Sequence, residues 1–214
     1  MGQPARWRLT AEFLALFVAI PVAIALFLPP RMLFPALFGF SVLGLGLLWL
    51  TGGFEWRDLL RGWGRFDWRL FLAFAAFTAL ASALVLWLTR PEALFAFLRR
   101  DPRFLLVIWL LYPLLSALPQ ELIFRVLFFH RYGPLFADPR RGVLVNAAIF
   151  ALAHLMYWNW IVLIFTFFGG IAFAVGYLRR GFPWAWMLHA IAGNILFAMG
   201  MGVYFYSGNA IRPF

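Results

Sequence analysis

The sequence FLLVIWLLYPLLSALPQELIFRVLFFHRYG, residues 104–133, is an apolar run too long for one simple membrane span, and charged side chains lie in its second half. A spanning helix needs about 20 mostly apolar residues. Pro113 and Pro119 fall inside the run, and a proline in a helix interior removes a backbone hydrogen bond and kinks the axis. The run therefore predicts either one bent helix or two helices, the second beginning near Pro119.

The composition of the whole chain agrees with such a run. Of its 214 residues, 65% are hydrophobic and 12% are charged, whereas a soluble domain carries about 25% charged residues. The net charge of +10 comes from arginines between apolar runs, where they set membrane orientation and meet anionic lipid headgroups. The chain has no cysteine, which excludes disulfides and cysteine nucleophiles. We therefore predict an integral membrane protein whose arginines contact the headgroups of membrane lipids. We expect no nucleic-acid partner.

Six further apolar runs accompany the central one. If each of the seven runs forms one membrane span, the chain is an all-α polytopic membrane protein of about seven transmembrane helices. We expect a single domain over residues 1–214. Residues 53–69 and 91–103 are too polar or too short to span, and they predict one or two interfacial helices. With the N terminus inside, the inner connections hold more arginines than the outer ones, which favours a cytoplasmic N terminus. The six runs are residues 11–30, 32–52, 69–89, 142–158, 160–178 and 182–206.

Glu121 and Arg125 form a charged pair at membrane depth. An ionisable side chain there costs about 2.5–3.5 kcal/mol on insertion scales, which makes it a functional candidate. The two residues are four apart and share one helical face, so a structural ion pair is the simpler alternative. The other acids fall in connections or, like Glu12, near a helix end.

The three histidines all lie in the C-terminal half of the chain. His154 and His189 fall inside two different apolar runs, whereas His130 precedes Arg131 and Tyr132 and is typical of a helix end. A lone histidine in a span is more often a hydrogen-bonded packing element than a catalyst. Two histidines on separate helices, with a carboxylate on a third, indicate a functional cluster if all three face a common cavity.

Such a cluster supports more than one chemistry. A carboxylate with an imidazole can take a proton from water and deliver that water to an electrophilic carbon, and a second imidazole with the nearby Asn194 can donate to the oxyanion that forms. These groups suit peptide-bond hydrolysis. Two histidines and a carboxylate are also a common zinc set, but the HExxH pattern is missing, so a divalent metal is an alternative that is not favoured. Proton relays use the same residue types.

Three short motifs occur in order within the apolar runs: QELIFR at 120–125, FALAH at 150–154 and HAIAGN at 189–194. Together they resemble the CPBP family of intramembrane glutamic endopeptidases, the type II CAAX prenyl protease, bacteriocin-processing or Abi family. The resemblance covers the motif-bearing half, about residues 104–206. It implies an all-helical intramembrane endopeptidase in which a glutamate and a histidine activate water, while a second histidine and an asparagine form the oxyanion site.

Arg125, His154 and His189 occupy their motif positions, and the resemblance carries the family roles over to them. The family's first glutamate, the one that activates water, is replaced here by Gln120, and Glu121 matches the second. A glutamine is neutral and cannot act as a base. Either Glu121 has taken the role or the protein is a weak or silent relative.

The third motif departs from the family in its asparagine. The position four residues after His189 is Gly193, and Asn194 follows one residue later. On a regular helix Asn194 lies about 140 degrees from His189. Asn194 therefore joins the site only if Gly193 permits a widened turn.

The leading hypothesis is an intramembrane endopeptidase of a bacterial cytoplasmic membrane, acting on a membrane-embedded or lipidated peptide or protein without a cofactor. Glu121 is expected as base or base partner held by Arg125, His154 as activator of water, and His189 with Asn194 as oxyanion donors. The alternative is a silent relative that acts as a membrane scaffold or bacteriocin-immunity-type binding protein, which Gln120 favours. A proton-coupled transporter comes third, because the first three spans are nearly devoid of ionisable groups at depth.

Overall fold

The computed structural model describes residues 6–206, 208 and 210, and this part of the chain is helical, without a β-strand. Its helices range from one turn to 34 residues. They are α1 (Arg6–Phe27), α2 (Leu33–Trp49), α3 (Trp68–Thr89), α4 (Ala96–Arg100), α5 (Pro102–Leu135), α6 (Pro139–Ala153), α7 (Trp160–Arg180), α8 (Phe182–Met199) and α9 (Gly202–Phe205).

Five of these helices, α1, α3, α5, α7 and α8, are long and apolar enough to cross a membrane. The α2 helix is apolar but has 17 residues, and α6 has 15 residues, or about 22 Å at 1.5 Å per residue. The predicted all-α membrane fold is confirmed. Each of the seven apolar runs contains one helix, but among the described residues five of these helices, and not seven, have the length and composition of a membrane span. The prediction of one domain over residues 1–214 stays a prediction and includes end residues that lie outside the described part.

The α5 helix is continuous over its 34 residues, so the first of the two alternatives for the central run, a single helix, is correct. Two of its segments, Pro113–Ala117 and Leu122–Tyr132, have widened π-helical turns, in which each amide bonds the carbonyl five residues earlier. The two halves of α5 differ in burial. Residues 123–128 are all buried, whereas apolar side chains of the first half are largely exposed. The QELIFR motif thus begins where α5 enters the interior.

Small residues let the neighbouring helices approach closely. A Cβ atom added to Gly44 of α2 would lie 2.9 Å from Ile123 Cγ1 of α5. One added to Gly170 of α7 would lie 3.0 Å from the Ala147 Cα of α6. Close contacts of this kind are typical of helix packing in membranes, where small residues line the interfaces. They hold α2, α5, α6 and α7 around the buried motifs.

Glu12 lies near a helix end, as expected, and it joins α1 to the far end of α5. Its carboxylate accepts hydrogen bonds from Arg131 Nε at 2.5 Å, from Arg131 Nη2 at 2.8 Å and from the Tyr132 hydroxyl at 2.5 Å. Arg131 Nη1 also donates to Thr51 Oγ1 at 2.8 Å. This tie connects α1, α5 and the end of α2.

The connecting segments depart from the simplest expectation. Residues 53–69 form two short 3₁₀ turns, Trp56–Leu60 and Trp63–Arg65, and not one amphipathic helix. The last predicted span, expected to reach residue 206, ends at Met199. Gly200 has a φ of 108°, and a left-handed glycine of this kind terminates a helix. The interfacial position of the connections stays a prediction.

Candidate active site

Glu121 lies at the centre of a buried polar cluster. Its side chain is fully buried, and Oε1 accepts a hydrogen bond from His189 Nδ1 at 2.9 Å. Its other oxygen, Oε2, lies 3.3 Å from Arg125 Nε as an ion pair without the direction of a hydrogen bond. Burying a carboxylate is costly unless it is paired. The Arg125 guanidinium supplies the partner of opposite charge that a buried glutamate requires.

Arg125 is itself held from three sides, and it is fully buried. Nη1 donates to Asn146 Oδ1 at 2.9 Å and to the Phe124 carbonyl oxygen at 3.3 Å. Asn146 Nδ2 donates to the same carbonyl oxygen in a short hydrogen bond. The guanidinium carbon lies 4.7 Å from the centre of the Phe150 ring, within range of a cation–π interaction. These contacts fix the position of Arg125 and, through it, that of Glu121.

Asn146 belongs to the cluster although the sequence did not single it out. It lies on α6 and is fully buried. The signal that could have revealed it is a carboxamide inside an apolar run, because buried polar groups at membrane depth require partners. The motif residues alone do not point to it.

His189 is oriented both by its bond to Glu121 and by aromatic rings. Its imidazole stacks on Phe173 with ring centres 4.8 Å apart and an interplanar angle of 10°. The edge of Phe150 approaches it at 5.5 Å. An ionised carboxylate only accepts hydrogen bonds, so His189 Nδ1 carries a proton. The Nε2 atom is left for a substrate, and it donates a hydrogen bond when both ring nitrogens carry a proton.

His154 caps the end of α6, where the chain turns towards α7. Its Nδ1 lies 2.8 Å from the Phe150 carbonyl oxygen, and a carbonyl can only accept, so Nδ1 donates. The neutral imidazole therefore keeps its lone pair on Nε2. Phe150 contacts the His154 ring at 4.8 Å as well as His189 and Arg125. The phenylalanine of the FALAH motif thus lies between the three ionisable side chains.

A cavity of about 770 Å³ lies beside this cluster, and most of its lining residues are apolar. Gln120, His154 and His189 line it, whereas Glu121 does not. The expectation that Glu121 and both histidines face a common cavity is therefore met by the two histidines alone. Glu121 lies behind His189 because their hydrogen bond turns the carboxylate into the protein interior.

Gln120 lies at the cavity wall and is largely buried. Its Nε2 donates to Ser116 Oγ at 3.0 Å, one turn earlier on α5. The side chain that replaces the first glutamate of the family motif is thus hydrogen bonded and neutral.

Asn194 lies away from the cluster, and the structure does not bring it to Glu121 or to the histidines. The α8 helix is regular through Gly193, so the widened turn that Asn194 would need to join the site does not form. Asn194 Nδ2 donates instead to the Trp109 carbonyl oxygen of α5 at 3.2 Å. In a regular helix that carbonyl would accept from the amide of residue 113, but Pro113 has no N–H. Asn194 therefore replaces a backbone hydrogen bond that the proline removes.

His130 also lies outside the cluster, near the end of α5. Its Nε2 is 3.3 Å from the Gly52 carbonyl oxygen, and its ring meets Phe54 edge-on at 5.3 Å. This position agrees with the interpretation of His130 as a helix-end residue. Among the residues that the structure describes, no three His, Asp or Glu side chains are grouped so that they could hold a metal ion. The cofactor prediction itself stays untested.

The fold and the site together define the class: an all-α, multi-pass membrane protein with a buried carboxylate–histidine–arginine cluster beside a cavity. Residues 102–205 match the model of the Rce1-like type II CAAX prenyl endopeptidase family. This match supports the CAAX-type protease family that the three motifs predicted, and it covers all three motifs. No curated protein and no solved structure matches the chain.

Proposed function

We propose that this protein is an intramembrane endopeptidase that hydrolyses a peptide bond with water activated by a histidine. One observation carries the proposal. The buried Glu121–Arg125 pair holds His189 through a 2.9 Å hydrogen bond at the wall of a cavity that His154 also lines. A purely structural ion pair requires no histidine between itself and a cavity. The match to the model of a CAAX-type protease family supports the same reaction.

His154 is the proposed general base. Its Nδ1 donates to the Phe150 carbonyl oxygen, so the lone pair on Nε2 can take a proton from water. The water oxygen then bonds to the carbonyl carbon of the scissile peptide. When the C–N bond breaks, His154 passes the proton to the leaving amine nitrogen. The net reaction adds OH to the acyl product and H to the amine.

His189 is the proposed oxyanion donor, and Glu121 is its partner. Because Glu121 does not line the cavity, we assign it the orientation of His189 and not direct contact with water. When both of its ring nitrogens carry a proton, His189 donates from Nε2 to the carbonyl oxygen that becomes negative in the transition state. Arg125 pairs with Glu121 and fixes its position.

The proposed substrate is a membrane-embedded or lipidated peptide or protein. The cavity is mainly apolar, and residues from α1 to α8 line it, including Ile24 of α1 and Phe197 of α8. An apolar chain segment or a lipid group can move from the membrane hydrocarbon into this cavity and still be surrounded by apolar groups. The polar residues of the lining include Gln120 and the two histidines, beside which we place the reacting peptide bond.

The proposed location is a bacterial cytoplasmic membrane with the N terminus in the cytoplasm. Because the chain has no cysteine, single cysteines can report which side of the membrane a segment occupies. Arg57→Cys and Arg100→Cys flank α3, so a membrane-impermeant maleimide added to intact cells should label position 100 and not position 57. Labelling in the reverse order would invert the orientation, and labelling of both would contradict a single crossing by α3.

The proteolytic function is tested with the purified protein in liposomes and a library of membrane peptides. His154→Ala and His189→Ala should each lower the rate of cleavage by about 10²–10⁴-fold. His130→Ala is the matched control, since it removes a histidine outside the cavity and should leave the rate within about twofold. A parallel assay with EDTA tests for a metal requirement, and we expect no loss. Equal cleavage by all four proteins would refute the assignment.

Gln120 favours a second function, that of a silent family relative acting as a membrane scaffold or immunity-type binding protein. A neutral amide stands at the cavity wall where the family motif has a carboxylate. The variant Gln120→Glu separates the two functions. If His154 is the base, cleavage should change by less than about tenfold, whereas restoration of a missing base should raise it by about 10²-fold or more.

A further inference from the structure

Tyr112 of α5 and Gly193 of α8 approach more closely than a side chain at position 193 would allow. A Cβ atom added to Gly193 would lie 2.0 Å from Tyr112 Cε1, 2.2 Å from Cζ and 2.6 Å from the hydroxyl oxygen. These distances are far below any van der Waals contact. The phenol of Tyr112 therefore occupies the place where a side chain of residue 193 would begin.

This position lies one turn beyond His189 on the same face of α8, because residues four apart on a helix are neighbours. The ring centres of Tyr112 and His189 are 6.0 Å apart, and the rings meet edge-on. Tyr112, His189 and Gly193 all line the cavity. Two hydrogen-bond donors, an imidazole and a phenol, thus stand side by side at one wall.

The polar residues around Tyr112 support a donor role for its hydroxyl. Ser116 lies one turn further along α5 and, like Tyr112, lines the cavity. Gln120 Nε2 donates to Ser116 Oγ, so the proton of Ser116 can be donated to the Tyr112 oxygen. A phenol both donates and accepts and stays protonated at neutral pH, so the proton of Tyr112 itself can be directed to a substrate.

We infer that Tyr112 is a catalytic residue that donates the second hydrogen bond to the oxyanion, beside His189. The inference rests on the proposed proteolytic function. Asn194 is not available for this role, because its amide is bonded to the Trp109 carbonyl oxygen. The phenol of Tyr112 can occupy this position only because residue 193 has no side chain, so the position of Tyr112 depends on Gly193. Tyr112 neither gains nor loses a proton in the reaction.

The experiment uses Tyr112→Phe, which removes the hydroxyl and keeps the ring, in the full-length protein reconstituted in liposomes with a cleaved library peptide. We expect kcat to fall by about 10²-fold with KM within about threefold, because an oxyanion donor acts only in the transition state. Tyr177→Phe is the matched control. Tyr177 stacks on Phe129 outside the cavity, and its variant should keep the kcat of the unaltered protein. An unchanged thermal unfolding midpoint for Tyr112→Phe shows that the fold is intact.

Gly193→Ala provides the second variant. Its methyl group should displace the phenol, so kcat should fall as in Tyr112→Phe, and the double variant should fall no further because both changes remove one interaction. Equal kcat for Tyr112→Phe and Tyr177→Phe, while His154→Ala is inactive, would overturn the inference for Tyr112 alone. If His154→Ala cleaves as fast as the unaltered protein, or if no peptide is cleaved, the proposed function falls and this inference falls with it.

Discussion

Two glutamate–arginine pairs each have their arginine on the α5 helix, and they are bonded very differently. Glu12 and Arg131 join through two hydrogen bonds of 2.5 and 2.8 Å, with Tyr132 and Thr51 completing the set, and both side chains are partly exposed. Glu121 and Arg125 are fully buried, yet their closest approach is 3.3 Å without the direction of a hydrogen bond.

The difference indicates what each pair is for. A guanidinium and a carboxylate bond best as a planar two-pronged pair, and the outer pair has this geometry. In the inner pair, one carboxylate oxygen bonds a histidine at a cavity wall. A buried ion pair of this kind need not stabilise the folded protein, because the cost of removing the two charges from water can exceed the attraction between them. The outer pair ties helices together, and the inner pair holds an imidazole.

Neutralising the inner acid should have the largest effect. We expect Glu121→Gln to lower the cleavage rate by about 10²–10⁴-fold, because His189 loses the carboxylate that orients it. The measurement is cleavage of a library peptide in liposomes. Glu12→Gln is the matched control and should keep the rate within about twofold. Equal losses in the two variants would remove the functional distinction between the pairs.

The second largest effect concerns the support of Arg125. In Asn146→Ala the guanidinium loses the acceptor that it has at 2.9 Å, and a buried donor without a partner costs about 1–3 kcal/mol. We expect a lower thermal unfolding midpoint together with slower cleavage, since Arg125 positions Glu121. Asn194→Ala is the comparison, because it removes a carboxamide outside the cluster. Its cleavage rate should fall less than that of Asn146→Ala, and the reverse order would show that Asn146 does not support the site.

Asn146 also marks the limit of prediction from the sequence. The spans were predictable because an apolar run of about 20 residues has the length and composition of a membrane-crossing helix. Glu121 and Arg125 were predictable because four-residue spacing places them on one helical face. His154 and His189 were predictable because they lie inside two different apolar runs, and the family motifs then gave them roles. Asn146 lies in no motif, and Glu12 is 119 residues from Arg131. Contacts at such separations depend on how helices pack, which local periodicity does not encode.

Asn194 was expected as an oxyanion donor on the condition of a widened turn at Gly193, and that turn does not form. Its angular distance from His189 on a regular helix already placed it on another face of α8. What the sequence did not reveal was its partner, the Trp109 carbonyl oxygen that Pro113 leaves without an amide. The place of the phenol of Tyr112 against Gly193 was equally invisible, because it depends on the approach of two helices.

Neutralising the outer acid should have a smaller effect, confined to stability. Glu12→Gln weakens the bonds to Arg131 and Tyr132, and we expect a loss of about 1 kcal/mol in the free energy of unfolding. The measurement is thermal unfolding in detergent, with Glu55→Gln as the control, since the side chain of Glu55 is 66% exposed and lies 3.9 Å from its nearest partner, Arg61. A loss no greater than that of the control would show that the tie between α1 and α5 is not stabilising.

The smallest effect should come from a third acid–arginine pair, Asp67 and Arg180, whose side chains approach to 3.1 Å at the start of α3. A hydrogen bond from the Leu70 amide, and then the charge of Arg180, hold the pKa of Asp67 below its ordinary value of 3.8. A group whose pKa is lowered by folding stabilises the protein above its ordinary pKa and loses that contribution as the pH falls through the lower value. Asp67→Asn keeps a helix-capping side chain and removes the charge, so its unfolding midpoint should lie slightly below that of the unaltered protein at pH 7. The two midpoints should converge as the pH is lowered towards about 3. A difference in midpoint that does not change with pH would mean that the charge of Asp67 does not stabilise the fold. Of the acid–arginine pairs compared, only those more deeply buried than Asp67–Arg180 could then contribute to the free energy of unfolding.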